Sequence, residues 1–318
     1  MSDLSGVVRM QMCLLAVCLS AMTASAQPPV TALAFTPDGK QVIVGSQRGT
    51  AVHRWPGLTP VRKLATELEA IHDVRFSPDG RLLAVVGGSP GEEGIVEIWS
   101  WPKVQRIKRL TVHQDVIYQV AWQRQGKQLA TASNDLQIAL IDVPSYQVQR
   151  LVGHSKGVTS VVFVDEGHLA SAGSDATIRI WDLSQRRVQR TFDNHRGPIH
   201  HLAMRPSGDG LPVVASASQD RTIRIWQPTI GRMVRFAQLP AEPLAIAWTP
   251  DGRSIVAACQ DGHLRRVDAL TVQVAQDVAA LDGWAYSLAV DLAGKSTCVG
   301  GAQASLVQVQ HTPPPTSP

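Results

Sequence analysis

The clearest pattern in the chain is a strand that ends in a large residue, usually apolar, and returns every 41 to 46 residues. Repetition at this spacing is typical of folds assembled from supersecondary units of one kind. The strand ends lie at Phe35, Phe76, Trp122, Phe163, Met204, Trp248 and Val290. A second landmark ends a later strand of each unit, at Trp55, Trp99, Ile141, Trp181, Trp226, Val267 and Val309. The chain is therefore predicted to contain seven structural units.

Turn residues and alternating strands recur inside these units. A Thr/Ser-Pro-Asp-Gly turn occupies positions 36–39, 77–80 and 249–252, where Pro restricts φ and Gly accepts positive φ in a hairpin. Alternation of polar and apolar residues is clearest at 177–181 and 222–226, and no segment shows a helical period. Since a lone sheet leaves both faces open, the units are expected to pack face to face around an axis.

Two of the units carry a signature that resembles the WD40-repeat family. In the fourth unit the matching residues are Gly153, His154, Ser171, Asp175, Trp181 and Asp182; in the fifth they are Asn194, His195, Ser216, Asp220 and Trp226. The resemblance spans about residues 30 to 310 and implies an all-β fold, a seven-bladed β-propeller. The third unit departs from the signature, because it ends in Ile141 where Trp is expected. Units one, six and seven lack the His, and unit two carries an insertion.

In this family the His, Ser or Thr, Asp and Trp form a hydrogen-bonded chain inside each blade. A carboxylate is stable in such a buried place only when its acceptor sites are filled. The resemblance therefore implies a structural role for two sets, His154, Ser171, Asp175, Trp181 and His195, Ser216, Asp220, Trp226. The residues His113, Thr131 and Asp135 form an incomplete third set. Their recurrence in phase argues against a hydrolase triad, and no catalytic residue is predicted.

The resemblance also implies a surface for a partner. Loops before each first strand and turns after each second strand open on one narrow face, called here the top face, at the mouth of the central channel. Aligned on Thr159, the units place aromatic or amide side chains there. This predicted rim comprises His72, Tyr118, His200, Trp284, Tyr286, Gln47, Asn134, Gln219 and Gln260. Aromatic anchors with amide donors are typical of binding surfaces. Polar residues that merely line a water-filled mouth are the alternative interpretation.

The first 26 residues follow another pattern. Met12–Met22 is apolar but too short to span a bilayer, and 23–26 ends in an Ala-x-Ala motif that suits cleavage before Gln27. Residues 1–26 are therefore predicted to be a signal peptide and 27–310 the propeller, in a periplasmic or extracellular protein. Of the cysteines that cleavage would leave, Cys259 and Cys298 lie out of register for a disulfide, so two buried free thiols are expected.

Closure of the ring is a separate question. The third strand of the seventh unit ends at Gln310, and the tail 311–318 is rich in Pro, so it is expected to be disordered. After cleavage only Gln27-Pro28-Pro29 precedes the first strand, and Pro cannot donate to a ladder. The last blade is therefore expected to lack its outer strand and to leave an edge open to a strand from a partner. An uncleaved leader, through 13–19, is the rival filler.

Composition and charge narrow the function. With 44% hydrophobic and 18% charged residues the chain is typical of a globular protein. Its basic residues gather in the fourth strands, where they either protect sheet edges or form a docking surface. We expect a monomeric, non-enzymatic scaffold without cofactor or metal, which binds a protein or peptide and no nucleic acid. The alternative is a propeller enzyme or glycan-binding propeller, in which Glu69, Asp73, Glu92, Glu93 and Glu242 would supply carboxylates at the channel mouth.

Overall fold

The computed structural model describes residues 27–206 and 210–312. These residues form 27 β-strands in seven antiparallel sheets, which we call blades 1 to 7 in chain order. A short 3-10 helix, Ala302–Ala304, connects the last two strands of the chain. No helix in the described part of the chain is long and apolar enough to cross a membrane.

The strands of each blade follow one another in sequence. Blade 1 contains β1 (Val30–Phe35), β2 (Gln41–Ser46), β3 (Gly49–Arg54) and β4 (Pro60–Leu64). Blade 2 contains β5 (Ile71–Phe76), β6 (Leu82–Ser89), β7 (Glu93–Ser100) and β8 (Gln105–His113). Blade 3 contains β9 (Ile117–Trp122), β10 (Gln128–Ser133), β11 (Gln137–Asp142) and β12 (Val148–Val152). Blade 4 contains β13 (Val158–Phe163), β14 (His168–Gly173), β15 (Ile178–Asp182) and β16 (Arg187–Phe192). Blade 5 contains β17 (Ile199–Met204), β18 (Val214–Ser218), β19 (Thr222–Gln227) and β20 (Arg232–Gln238). Blade 6 contains β21 (Pro243–Trp248), β22 (Ser254–Cys259), β23 (His263–Asp268) and β24 (Val274–Ala279). Blade 7 contains β25 (Ala285–Val290), β26 (Ser296–Gly301) and β27 (Leu306–Gln310).

The blades close into a ring. The first strand of each blade contacts the first strand of the next, and β25 of blade 7 contacts β1 of blade 1. The prediction of an all-β, seven-bladed propeller is therefore confirmed. Blade 7 has three strands among the described residues, in agreement with the expectation that its outer strand is missing.

The hydrophobic core lies between the blades. The second strands are buried on both faces, as in β10, whereas the fourth strands, such as β12, are mostly exposed. Between blades 3 and 4, Leu151, Val161 and Trp181 belong to one buried cluster. Each Leu or Val side chain buried in this way contributes roughly 1.5–3 kcal/mol. Neighbouring blades therefore stabilise each other, which explains why one unit alone is not expected to fold.

The Pro-Asp-Gly turns form as predicted. Gly39 and Gly80 have φ of 67° and 70°, and Asp38 accepts hydrogen bonds from Thr36 Oγ1 at 2.6 Å and Lys40 N–H at 3.1 Å. A Cβ at Gly80 would lie 2.7 Å from the Pro37 ring of blade 1. The glycine is thus needed for its backbone conformation and for the close packing of adjacent turns.

One landmark residue was assigned wrongly. In blade 4 Leu169 pairs with Trp181, and the equivalent residue in blade 1, Val42, pairs with His53. His53 therefore occupies the strand-end position that the sequence pattern assigned to Trp55. Trp55 lies in the following turn, where its ring packs edge-on against Phe35 with centroids 4.9 Å apart.

The sequence also led to expectations for the two cysteines of the propeller and for the ends of the chain. Cys259 and Cys298 are buried and free, as expected. The predicted signal peptide, 1–26, and residues 313–318 of the tail lie outside the described residues. His311 Nε2 lies 2.7 Å from Thr297 Oγ1, and Thr312 N–H donates to Gln276 Oε1 at 3.1 Å. The first two residues of the predicted tail therefore pack against blades 6 and 7.

Candidate functional site

The predicted rim surrounds a channel along the axis of the ring. The channel has a volume of about 1080 Å³. It is lined by seven of the nine predicted rim residues, namely His72, Tyr118, His200, Gln219, Gln260, Trp284 and Tyr286. These side chains converge because each innermost strand points one residue at the same level into the channel, and the turns after the second strands reach the same mouth.

The aromatic side chains of the mouth form two pairs. The rings of His72 and Tyr118 meet edge-on with centroids 5.6 Å apart, and those of Trp284 and Tyr286 lie 5.7 Å apart. Trp284 is 45% exposed, which makes it the most accessible of the four anchors. Burial lowers the pKa of His72 and raises that of Tyr118. Both side chains are consequently uncharged near neutral pH, and they present aromatic surface to a ligand.

The other two rim residues do not line the channel. Gln47 is exposed in the turn between β2 and β3, and Asn134 donates a hydrogen bond to Asp115 Oδ2 at 2.7 Å. The predicted rim also left out two lining residues, Ser174 and Glu242, of which Glu242 had been considered only as a carboxylate of a propeller enzyme. Ser174 occupies the position just before the turn Asp, as Gln219 does, and Glu242 lies two residues before Leu244, as Trp284 does before Tyr286. The alignment therefore contained the signal for both.

Glu242 is the acidic residue of the mouth. Its carboxylate contacts Nε2 of His200, and the Glu242 side chain is 13% exposed. Among the other candidate carboxylates, Asp73 lies in the channel wall, Glu69 accepts a hydrogen bond from Ser89 Oγ, and Glu93 accepts one from Thr111 Oγ1. The carboxylates considered for a propeller enzyme are thus divided between the channel and the outer part of blade 2.

A polar network below the mouth links the innermost strands of four blades. Asp73 Oδ2 accepts the Val120 N–H at 3.1 Å and pairs with Arg75 Nε at 3.1 Å. Gln119 Oε1 accepts the Val161 N–H at 2.7 Å, so its amide nitrogen must be the group that lies 2.9 Å from His201 Nε2. The amide donates, and His201 is therefore the neutral tautomer with its proton on Nδ1.

Burial supports this assignment for His201. Removal from water, together with the nearby Arg75 and His200, lowers the pKa of His201 to about 3. His200 and His201 therefore contact different partners, Glu242 and Gln119, and do not act as a pair. Among the described residues no three His, Cys, Asp or Glu side chains are grouped as metal ligands.

The His-Asp sets of blades 4 and 5 form the same hydrogen-bonded chain. In blade 5, His195 Nδ1 lies 2.8 Å from Asp220 Oδ2 and its Nε2 lies 2.7 Å from Ser216 Oγ. Trp226 Nε1 donates to the same hydroxyl at 2.8 Å. In blade 4 the contacts are His154 to Asp175 at 3.0 Å, His154 to Ser171 at 2.7 Å and Trp181 to Ser171 at 2.8 Å. Each chain ties the loop before a first strand to the turn after the second.

The charge of these aspartates is stabilised by their donors. Burial alone would raise the pKa of Asp175, but hydrogen bonds from His154, Thr177 and the Ser155 N–H outweigh burial and hold the pKa well below its usual range. Blade 3 has the shorter version, in which His113 lies 2.8 Å from both Asp135 and Thr131. Ile141 replaces the tryptophan there and makes no hydrogen bond.

Blades 2 and 6 each bury a charged residue of the third strand that ties this strand to the fourth, and sequence reasoning did not find these residues. In blade 6, Arg265 is 2% exposed; it bonds Asp261 in two places, at 2.9 and 2.7 Å, and Asp277 at 3.0 Å. In blade 2, the fully buried Glu97 accepts from Trp99 Nε1 at 3.1 Å and Arg106 at 2.9 Å. Arg265 aligns with Arg179 and Arg224, so the recurrence of Arg at this position was visible in the sequence. The burial of Arg265 was not.

Two other sequence features, the Gly-x-Ser-x-Gly pattern and the basic residues of the fourth strands, have a structural explanation. The Gly-x-Ser-x-Gly pattern at 87–91 forms the end of β6 and its turn into β7, so it joins two strands rather than a strand and a helix. The basic residues lie on the outermost strands as expected, and several are paired. Arg106 and Arg109 lie within 4.0 Å of Glu67, and Arg190 donates to the Pro228 carbonyl at 3.3 Å.

Comparison with known sequences identifies the repeat. The family described as WD domain, G-beta repeat matches residues 16–52, 58–100, 104–142, 145–182, 186–227 and 240–268, which together exceed half of the chain. These six matches correspond to blades 1 to 6 and the segments between them. The first match begins inside the predicted signal peptide.

Several curated proteins are similar over part of their length. Actin-interacting protein 1-2 of Arabidopsis thaliana is 32% identical over 165 residues, which cover 49% of this chain and 26% of that protein. Nuclear distribution protein PAC1 of Arthroderma benhamiae is 28% identical over 178 residues, covering 51% and 38%. WD repeat-containing protein slp1 of Schizosaccharomyces pombe is 23% identical over 188 residues, covering 59% and 38%. The alignments thus span well under half of these relatives.

Proposed function

The chain belongs to the WD40-repeat family, and from this premise we propose that it is a non-enzymatic, exported scaffold that binds a protein or peptide mainly through its top face. The observation that carries the proposal is the convergence of seven predicted rim side chains on one channel mouth. Relatives named for interaction with actin or for nuclear distribution support the broader idea of a scaffold.

The chemistry of the mouth suits a peptide or a loop. Trp284, Tyr286, Tyr118 and His72 offer apolar surface with polar tips, and Gln219 and Gln260 offer directional hydrogen bonds. Large aromatic residues supply most of the binding energy in such interfaces, whereas amides select the orientation of the ligand. A rigid ring also holds these groups in place before binding, which lowers the entropic cost of association.

Binding at the top face is tested by capturing a partner protein and then measuring its affinity. Immobilised protein and the Tyr118→Ala, Trp284→Ala double variant are each exposed to the exported fraction, and the captured protein is purified for titration. We expect the double variant to bind at least about 2 kcal/mol more weakly, as for truncated interface anchors, while its melting temperature stays near that of the unmodified protein. The comparison variant is Arg187→Glu with Arg190→Glu on β16. If this edge variant weakens binding more than the rim variant does, the outer surface is the site and the proposal is wrong.

Export has its own test. If residues 1–26 are a cleaved signal, N-terminal sequencing of the protein recovered outside the cytoplasm should begin at Gln27. The Ala24→Leu, Ala26→Leu variant should be retained with its leader, because the small residues at the cleavage site are gone. Recovery of uncleaved protein in the cytoplasm would contradict export.

A further inference from the structure

The outer edge of blade 7 differs from the edges of the other blades. The outermost strands β4, β8, β12, β16 and β20 all carry Arg or Lys, and β24 carries Asp277. Charged side chains on an edge strand discourage pairing with another chain. By contrast, β27 reads Leu-Val-Gln-Val-Gln and has neither a charge nor a proline. This edge therefore lacks the protection that the described outer strands of the other six blades share.

The register shows which backbone groups of β27 are free to pair. The N–H of His311 donates to the Lys295 carbonyl, and the N–H of Gly301 donates to the Ser305 carbonyl, both across the β26–β27 pair. In an antiparallel ladder the hydrogen-bonding groups of successive residues point to opposite sides. The backbone groups of Leu306, Gln308 and Gln310 therefore point away from β26. The contact of Gln276 Nε2 with the Gln310 carbonyl, at 2.8 Å, agrees with this direction and occupies that carbonyl, so Gln310 offers its N–H alone.

A groove of about 240 Å³ lies beside this edge, between blades 7 and 1. Leu306 lines it from blade 7, and Val44 and Thr50 line it from blade 1. Val44 and Leu306 belong to the hydrophobic cluster between these two blades, so the groove continues their packing interface.

The charge of the groove indicates what kind of segment fits it. Its lining includes Arg48, His53 and Lys63 and no Asp or Glu. A strand with an acidic side chain on the blade 1 side would complement these groups. Residues 16–26 of this chain contain no Asp or Glu, so they would leave the basic wall of the groove uncompensated.

We propose that the β27 edge and this groove bind an extended strand of a partner protein, with an acidic side chain directed towards blade 1. The added strand becomes the fourth strand of blade 7. Its backbone pairs with Leu306, Gln308 and the Gln310 N–H, and its side chains alternate between the basic groove and the side of blade 6 that carries Val278. Backbone pairing supplies affinity in this mode of recognition, and the alternate side chains supply specificity. The site is distinct from the channel mouth, so it can be tested independently of the top face.

The experiment uses the full chain and a synthetic strand, Ac-Val-Thr-Val-Glu-Val-Thr-NH2, with amide exchange followed residue by residue. The peptide should slow exchange at Leu306, Gln308 and Gln310 and leave β12 unchanged. Replacing the peptide Glu by Gln should weaken binding about threefold, as expected for a partly exposed ion pair. The Lys63→Glu variant, which alters an exposed side chain, should weaken the original peptide to a similar extent.

A backbone variant tests the pairing itself. Gln308→Pro removes an outward N–H without removing a bond to β26, and it should weaken the peptide about tenfold. Arg150→Pro, at an outward position of β12, is the matched control and should bind the peptide normally. The proposal is overturned if the peptide protects none of the three amides, or if these amides are already protected without peptide because the chain's own residues or a second copy cover the edge. Equal binding of the Glu and Gln peptides would overturn the acidic preference.

Discussion

Replacement of Asp220 by Ala should destabilise the whole propeller, because the carboxylate joins two loops of blade 5. It accepts from His195 Nδ1 at 2.8 Å, the Arg196 N–H at 3.1 Å, the Thr222 N–H at 3.0 Å and Thr222 Oγ1 at 2.6 Å. An unsatisfied buried donor costs about 1–3 kcal/mol. Water can replace part of the lost bonding, since the Asp220 side chain is 8% exposed.

The expected loss is therefore about 2–4 kcal/mol in the free energy of unfolding, the cost of one or two unpaired donors. For a chain of this size that corresponds to a fall in melting temperature of roughly 4–8 °C. Urea titration and thermal unfolding both measure it. Asp193→Ala, at an exposed carboxylate in the same loop, is the matched control and should change stability by less than about 0.5 kcal/mol. Equal melting temperatures for the Asp220→Ala variant and the unmodified protein would refute the reasoning.

The same aspartate gives a prediction for pH. Burial opposes its ionisation, but hydrogen bonds from Thr222 and His195 outweigh burial and lower the pKa of Asp220 to about 2. An unfolded aspartate titrates near 3.9. Because the folded pKa is the lower one, the stabilisation is complete above about pH 5 and is lost as the pH falls towards 2. The stability difference between the unmodified protein and Asp220→Asn should shrink over this interval. A difference that stays constant down to pH 2 would contradict the assignment.

The remaining predictions concern buried groups of blades 6 and 7. Arg265→Met should lower the free energy of unfolding by about 1–3 kcal/mol, because it leaves Asp261 and Asp277, which are partly exposed, without their shared guanidinium. Arg266→Met on the neighbouring residue should cost less, and unfolding in urea compares the two variants. Cys259 and Cys298, whose pKa values burial raises to about 11 and about 12, should not react with a thiol reagent at pH 8 until denaturant is added. Fast labelling of the native protein would show that one of them is accessible.

Sequence reasoning succeeded where a residue type and its repetition carry the information. The spacing of apolar strand ends, the Pro-Asp-Gly turns and the His-Asp-Trp signature each recur in phase, so an error in one unit is corrected by the others. It failed at Trp55, because a tryptophan in a turn and a tryptophan at a strand end look alike in one unit. Only the pairing of Val42 with His53 separates the two.

The predicted rim residues likewise divide into those that line the channel and those that do not. Positions next to the channel could be predicted from one alignment, since every innermost strand repeats one geometry. Gln47 and Asn134 were placed at the mouth by the same alignment, but neither side chain lines the channel, because Gln47 is exposed to solvent and Asn134 is held by Asp115. The direction of a turn side chain depends on the partners that lie near it in the folded ring, which no local pattern records.

By itself the sequence determined the number of units and their turns, because these depend on local backbone preferences and on a period of hydrophobic positions. Its resemblance to the WD40 family added the propeller architecture and the residues of the His-Asp chains. Tertiary structure alone decided which polar side chains meet. It brought Asp277 of β24 to the buried Arg265, Glu67 to Arg106, and Gln119 of blade 3 to His201 of blade 5. These contacts join residues 12 to 82 positions apart. The physical reason is that burial and pairing of polar groups depend on distances across blades, and closure of the ring sets those distances.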